Sequence, residues 1–555
     1  MKNDFHSDQE SPDHETTRSG KVALLWRVEW IVAIALSAVV LFLLVVRATH
    51  AGALWRDEAE SAQSARMPIG EMVENIQYTS FPILFPVFVR AYTTVFGASD
   101  ISLRCFGLAV GIFLLGVAWL HLRRLTGDVP LLFPAMIGLN VNFLTAGTSL
   151  RGYGFGSVLV LLAFVFTVKL LVNPNARTLA SVFVAYLASM QFLFFNGALV
   201  MAIVIAAMAV LLVCGQVKWI WFLICVAGGC GLSYISYLLQ FYFHASSWAK
   251  LLEVPVSFGL IWRPFMGAWG EISTGASAMW LGVIFLSLIG AVWRLATTWS
   301  NDRPHKCDLL LFGILLIPGS MITSYAFVRV LPRAPDERYF LALTILLAAT
   351  VDLLLANFLR HHGLRIARIG LVILATIWLP FTVWPQIVQA ESNVDIVAEA
   401  VEKNAGPADL IVVSPWSFGV SFNWYYHGAT RWITVPEMDD HRVHRYDLLL
   451  RKMESVDPLE DAKGEIATTL KSGNRIWFVG QAELPAPGEG PLQLSPTPDP
   501  KFGWQAPVYR KAWSQEIGLF LWRHFQRTNQ VALRTEHAIS ARENMFLYLL
   551  EGWKD

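Results

Sequence analysis

Eleven apolar stretches, each near the roughly 20 residues that a helix needs to cross a bilayer, leave this chain few architectures. They fall at about 30–46, 105–122, 129–146, 153–172, 179–195, 198–214, 219–241, 277–293, 308–327, 339–358 and 369–386. In lipid every backbone N–H and C=O has to find its partner inside the structure, so spans of this length fold as helices. The expected fold is a polytopic α-helical membrane protein of about eleven transmembrane helices. Composition agrees: of 555 residues 55% are apolar and only 15% are charged. The charges are unevenly placed, 38 between Val22 and Gln386 against 39 in the much shorter stretch from Ile387 to Asp555. Lipid is the implied solvent of the first stretch and water of the second. With 43 Lys and Arg against 42 Asp and Glu, no basic field is available to hold nucleic acid, which is excluded as a partner.

Three regions are expected. Residues 1–20 are polar, with too few apolar side chains to pack, and read as a disordered cytoplasmic tail. Residues 21–386 form the transmembrane domain. Residues 387–555 alternate short β-like runs, at 409–415, 431–436 and 475–480, with helical ones such as 446–455, which predicts a small α/β domain. The five cysteines sit in or beside apolar stretches, so neither a disulfide framework nor a C-x-x-C metal site is expected.

Orientation follows from the basic residues. Lys21, Arg27, Arg123, Arg124, Lys169, Arg177, Lys218, Arg294, Arg303, Lys306, Arg360, Arg365 and Arg368 all fall on one side when loops are taken alternately. The positive-inside rule makes that side cytoplasmic. The N-terminus is then inside, and an odd number of spans leaves residues 387–555 outside. Ala51-Gly52-Ala53 looks like a signal cleavage site, but the segment before the apolar core is long and acidic, so an uncleaved anchor is expected.

On the outer side the long connections carry the chemistry. The first, Arg47 to about Arg104, contains Trp55-Arg56-Asp57-Glu58 and then a helical stretch from Glu58 to Tyr78 that is expected to lie at the interface and to kink at Pro68. Asp57 and Glu58 are candidate catalytic carboxylates, able to deprotonate an attacking hydroxyl or amine. The same spacing also fits a capping box, with Asp57 as N-cap and Glu60 at the third helical position. Arg151 and Tyr153 in a short outer turn, and Arg338 and Tyr339 at the start of a late span, are candidate substrate-binding residues. Guanidinium groups at the membrane edge match a lipid phosphate or diphosphate, although anchoring is the commoner fate of Arg and Tyr at span ends and, for either Arg taken alone, the favoured reading. Gly152, Gly154 and Gly156 follow no strand and are read as helix packing rather than a phosphate loop. Asp352, inside an apolar span, is expected to pair with Arg360 or with a neighbouring helix.

The order of these features resembles the C-type glycosyltransferases, membrane enzymes related to protein mannosyltransferases and to the lipid A aminoarabinose transferase. The resemblance runs over W-R-D-E-A at 55–59, F-P-x-L-F-P at 81–86, S-L-R-G-Y at 149–153 and E-R-Y-F at 337–340. It implies transfer of a sugar from a polyprenyl phosphate to an envelope lipid, glycan or protein acceptor on the outer side of a bacterial inner membrane, with Asp57 as general base. Arg151 and Arg338 would then neutralise the departing phosphate, and no nucleotide or other cofactor is called for. Relatives often carry a Glu where this chain has Ser149, and a His-rich or P-P-L-Y-like stretch where it has Phe81 to Pro86. Both changes remove candidate metal ligands and favour a metal-independent reaction. The rival readings are a polytopic transporter or lipid flippase, and a noncatalytic partner in envelope assembly.

Overall fold

A helix of 39 residues, α1 (Pro12–His50), carries the chain through its first apolar stretch. The structure, a computed structural model, describes residues 12–79, 81–270, 275–298, 305–330, 333–356 and 361–555. Of the expected tail, residues 1–11 lie outside the described residues, and from Pro12 onward the chain is already part of α1.

Nine described helical segments are long and apolar enough to cross a membrane, which makes the chain an integral membrane protein. Two of the expected spans take other forms. The stretch expected at 179–195 is the helix Ala176–Phe192, of 17 residues, started by a capping box between Asn175 and Thr178. Asn196 Nδ2 donates to the carbonyls of Ser189 and Gly156 at 3.0 and 2.9 Å, which fastens the end of this helix beside the start of Gly152–Val172 and makes the two antiparallel. The stretch expected at 129–146 is broken into Leu132–Gly138 and a π-helical turn, Phe143–Gly147. Asn140 causes the break: its side-chain oxygen accepts from the N–H of Asn142 at 2.8 Å, in competition with the helical ladder. The broken segment still runs from one end of the bundle to the other. Phe133 N–H donates to Asp352 Oδ2 at 3.0 Å, and Leu150 N–H donates to Glu58 Oε1 at 2.9 Å. Asp352 thus satisfies a helix start on a neighbouring segment; Arg360, its other expected partner, lies outside the described residues. The glycine run packs helices together, since a Cβ on Gly154 would come within 1.9 Å of the Gly147 carbonyl oxygen.

Beyond the helix His362–Ile387 the chain builds a five-stranded sheet. Its strands are β1 (Leu410–Ser414), β2 (Trp432–Thr434), β3 (Ile476–Gly480), β4 (Phe525–Gln530) and β5 (Leu547–Trp553), in the order β2-β1-β3-β5-β4. The first three are parallel, with Val412 opposite Ile433 and Phe478; β5 is antiparallel to both β3 and β4. Alternation along β1 sends Leu410 and Val412 to one helical layer, with Leu449, Ile466 and Ile517, and Ile411 and Val413 to the other, with Val397 and Phe422. The three parallel strands coincide with the β-like runs of the sequence, whereas β4 and β5 have no counterpart in them.

The sheet unit closes over one end of the bundle, with α2 (Arg56–Arg66) at the junction. The predicted kink occurs: α2 stops at Met67-Pro68, and Ile69–Asn75 continues as a separate short helix. Glu58 to Ala65 are buried, so α2 packs between protein surfaces. Gln63 Nε2 donates to the Val420 carbonyl at 3.0 Å, Asn423 Nδ2 donates to Gln63 Oε1 at 2.6 Å, and Tyr425 OH donates to Asp100 Oδ1 at 2.7 Å. Arg47, near the end of α1, donates to the Gln389 carbonyl at 2.6 Å and pairs with Glu391.

Candidate active site

The position of Asp57 is set by the turn between α1 and α2. Gly52 takes φ 61°, a conformation glycine adopts without strain, and a Cβ there would meet that of Ala390 at 2.8 Å. The N-cap of α2 is Trp55, whose side chain caps nothing, and the first helical N–H, of Arg56, donates at 2.9 Å to Glu543 Oε2 from the sheet unit. The capping-box reading of Asp57 is therefore overturned: Asp57 lies inside the first turn, with its carboxylate free to point elsewhere.

It points at three cationic or hydrogen-bonding partners. Arg338 Nη1 donates to Asp57 Oδ2 at 3.1 Å, Arg151 Nη2 lies 3.8 Å from the same oxygen, and His444 Nε2 is 3.3 Å from Oδ1. Burial alone would push this carboxyl up. Arg151, the His444 hydrogen bond and Arg338 together outweigh burial and hold it well below the usual carboxylate range.

Glu58, the other candidate carboxylate, is turned away. It is fully buried, takes both its oxygens to Arg104 Nη1 at 2.8 and 3.0 Å, and accepts from Leu150 N–H. Buried and paired in this way, it ties α2 to the bundle and, unlike Asp57, does not line the cavity. Arg151 is held as firmly: its Nη1 donates to the Asp57 carbonyl at 2.6 Å, Glu60 Oε2 at 3.0 Å and Ser61 Oγ at 3.3 Å, and its guanidinium lies over the Phe81 ring. Burial opposes its charge, but Asp57 and Glu60 more than compensate and raise its pKa. Arg338 is less committed. Its Nε makes no hydrogen bond among the described residues but lies 3.7 Å from Asp336 Oδ2, and its guanidinium lies 5.4 Å from the centre of the Trp55 ring and 5.7 Å from that of Tyr153. Tyr153 is buried against Phe81 and Tyr339, with ring centres 5.3 and 6.0 Å away.

Asp57, Arg151, Arg338, Tyr153 and Tyr339 all line one cavity of about 670 Å³ between bundle and sheet unit. Trp416, His444, Tyr446 and Arg510 form its wall on the sheet side. A second, apolar cavity of about 290 Å³, lined by Phe194, Phe195, Tyr234, Tyr237 and Phe327 among others, shares Arg333 and Tyr339 with the first. Among the described residues no three His, Cys, Asp or Glu side chains converge as a metal site. His444, Glu60, Arg104, Arg333 and Arg510 were missed by sequence reasoning. The only signal for His444 was the run His441-Arg442-Val443-His444-Arg445, too generic to place against a loop almost four hundred positions earlier.

The arrangement defines a membrane protein with carboxylates and several guanidinium groups lining a cavity that shares wall residues with an apolar one. No protein-family model matches the chain, and no curated protein sequence matches it. Among solved structures it is similar to ArnT from Cupriavidus metallidurans bound to undecaprenyl phosphate, at 13% identity and a TM-score of 0.42, covering 83% of this chain and 93% of that one. The apo state of the same protein matches at 14% identity and a TM-score of 0.34, covering 84% and 93%.

Proposed function

We propose that this protein transfers a sugar from a polyprenyl phosphate to an envelope acceptor on the outer side of a bacterial inner membrane. The observation that carries the reading is that the two cavities share Arg333 and Tyr339 in their walls. An amphiphile with an isoprenoid tail and a charged head needs an apolar groove that opens onto guanidinium groups, and this junction supplies both. The tail lies in the apolar cavity, the phosphate lies by Arg333 and Arg338, and the sugar extends toward Asp57.

In the reaction the acceptor oxygen or nitrogen attacks the anomeric carbon, the bond from that carbon to the phosphate oxygen breaks, and Asp57 takes the acceptor proton. Arg338 and Arg333 neutralise the charge that develops on the phosphate, in a site walled off by the sheet unit. The resting Asp57 is a poor base, because its partners stabilise the carboxylate. A phosphate that draws Arg338 toward itself weakens one of those interactions and raises the basicity of Asp57 only when the donor is in place.

The test is a strain lacking the protein. It should accumulate a polyprenyl-phosphate sugar and lose a sugar from a surface glycan or lipid, both read by mass spectrometry, and Asp57→Asn should fail to restore either. Unchanged lipid-linked sugars and surface glycans in the deletion strain would sink the proposal.

A further inference from the structure

The indole of Trp55 is approached by three guanidinium groups. Arg338 and Arg56 each lie 5.4 Å from its ring centre, and Arg542 lies 5.7 Å away. Arg338 belongs with Asp57, but Arg56 begins α2 and Arg542 precedes β5, so the buried Trp55 is in contact with two sets of cations. Arg510, on the helix Ala506–His524, enters the same cavity from the sheet unit and has neither a hydrogen bond nor an ion pair among the described residues. Its pKa is lowered, by burial first and then by the charge of Arg56, which Glu483 offsets only in part.

Three carboxylates face this cluster: Glu483 offsets Arg510 in part, Glu253 lines the same cavity without an ion pair to these arginines among the described residues, and Glu543 lies by Arg56, whose Nη1 also donates to the Arg542 carbonyl at 3.1 Å. Glu543 is the carboxylate nearest to Arg56, at 3.5 Å, and it is already engaged by the Arg56 N–H and by Ser392 Oγ at 3.0 Å. Burial also pushes its carboxyl up to about 7, so near neutral pH it is only partly ionised. Like charges held together in a cavity repel, and the cost is relieved by an anion that both can grip. Planar guanidinium forks suit the paired oxygens of a phosphate or carboxylate.

The geometry points to a second anion-binding subsite, made by Arg56 and Arg510 with Arg542 beside it, that holds a phosphate or carboxylate group of the acceptor while Trp55 separates it from the donor phosphate at Arg338. Calling the bound molecule the acceptor rests on the glycosyl-transfer reading; the anion subsite itself does not. It makes the acceptor an acidic molecule and places its charge on the sheet side of the cavity.

Purified full-length protein saturated with undecaprenyl phosphate, which occupies the donor side, is titrated with methyl phosphate and separately with acetate, and binding is followed by NMR line broadening of each probe. At least one probe is expected to bind, and the tighter of the two tells whether the subsite is built for phosphate or carboxylate. Arg510→Glu should weaken that probe at least about tenfold, the size expected for losing one hydrogen-bonded contact to a charged group. Arg510→Lys should keep part of the affinity, and undecaprenyl phosphate should bind all three proteins equally. Equal probe binding by wild type and Arg510→Glu, or no binding of either probe by wild type, would overturn the proposal. Failure of undecaprenyl phosphate to bind, with probe binding still dependent on Arg510, would remove the donor reading and leave the anion subsite standing.

Discussion

Asp57 is the residue on which the proposed chemistry turns, and its surroundings separate proton transfer from helix capping. Because its carboxylate caps nothing and lies inside the first turn of α2, Asp57→Asn should leave α2 formed and the protein inserted, with some fall in thermal midpoint from the lost ion pairs to Arg338 and Arg151, while lowering transfer by about 10²- to 10⁴-fold, the range for removal of a general base. The two arginines facing it differ in role. Arg338 pairs with Asp57 through one nitrogen and with Asp336 at 3.7 Å, and it lines the cavity, so Arg338→Ala should lower transfer at least about thirty-fold, read as rate in reconstituted vesicles. Arg151→Ala, by contrast, leaves Glu60 buried and uncompensated, and should cost about 3–5 kcal/mol, read as a lowered thermal midpoint and poor accumulation. Asp57, Arg151 and Arg338 were legible in the sequence because each sits in a short motif at a span end. His444 was not, because its link to Asp57 joins residues 387 positions apart, and no local pattern records such a contact.

At the scale of elements, α2 depends on a carboxylate from the far end of the chain. Glu543 accepts from the Arg56 N–H and from Ser392, and burial holds its pKa near 7. A group whose pKa is raised on folding stabilises fully below its unfolded value, and that contribution is lost as pH rises through the folded value. For Glu543 the loss falls between about 4.3, the ordinary Glu value, and about 7. The thermal midpoint of the wild type should therefore fall more between pH 5 and pH 8 than that of Glu543→Gln, which keeps an acceptor oxygen without the charge. Parallel curves for the two proteins would show that Glu543 does not titrate in that window. Elements with a strong period were legible: the long apolar helices, the kink at Pro68 and the three parallel strands. The break at Asn140 was hidden, because the hydropathy of 129–146 stays high while one side-chain oxygen captures a backbone N–H. β4 was hidden too, since Phe525–Gln530 is a polar and largely exposed edge strand without an alternating pattern.

For the whole molecule, the Arg365–Glu29–Arg368 cluster lies at one end of the helix bundle and the sheet unit with the cavity at the other. If the basic end is cytoplasmic, as the positive-inside rule requires, reporter fusions after Arg124 and after Lys306 should report the cytoplasm, and one after Ala390 the outside. A cytoplasmic reading after Ala390 would place Asp57 where the proposed donor and acceptor are absent. The broad division into bundle and sheet unit was visible in the distribution of charge, because lipid and water select different residues. The cavity between the two was not, because its walls come from segments that are remote in sequence and meet only after both have folded.

The hydrogen bond from Arg56 to Glu543 spans 487 positions. At about 5–20 residues per second of chain growth, tens of seconds separate the making of its two ends. Through that interval α2 has emerged without its cap, Asp57 has no His444 beside it, and the cavity has no wall opposite the bundle. The cavity is thus among the last parts of the molecule to be completed, and a half-made chain already threaded into the membrane, among lipids of the kind proposed as its donor, has no finished site with which to act on them.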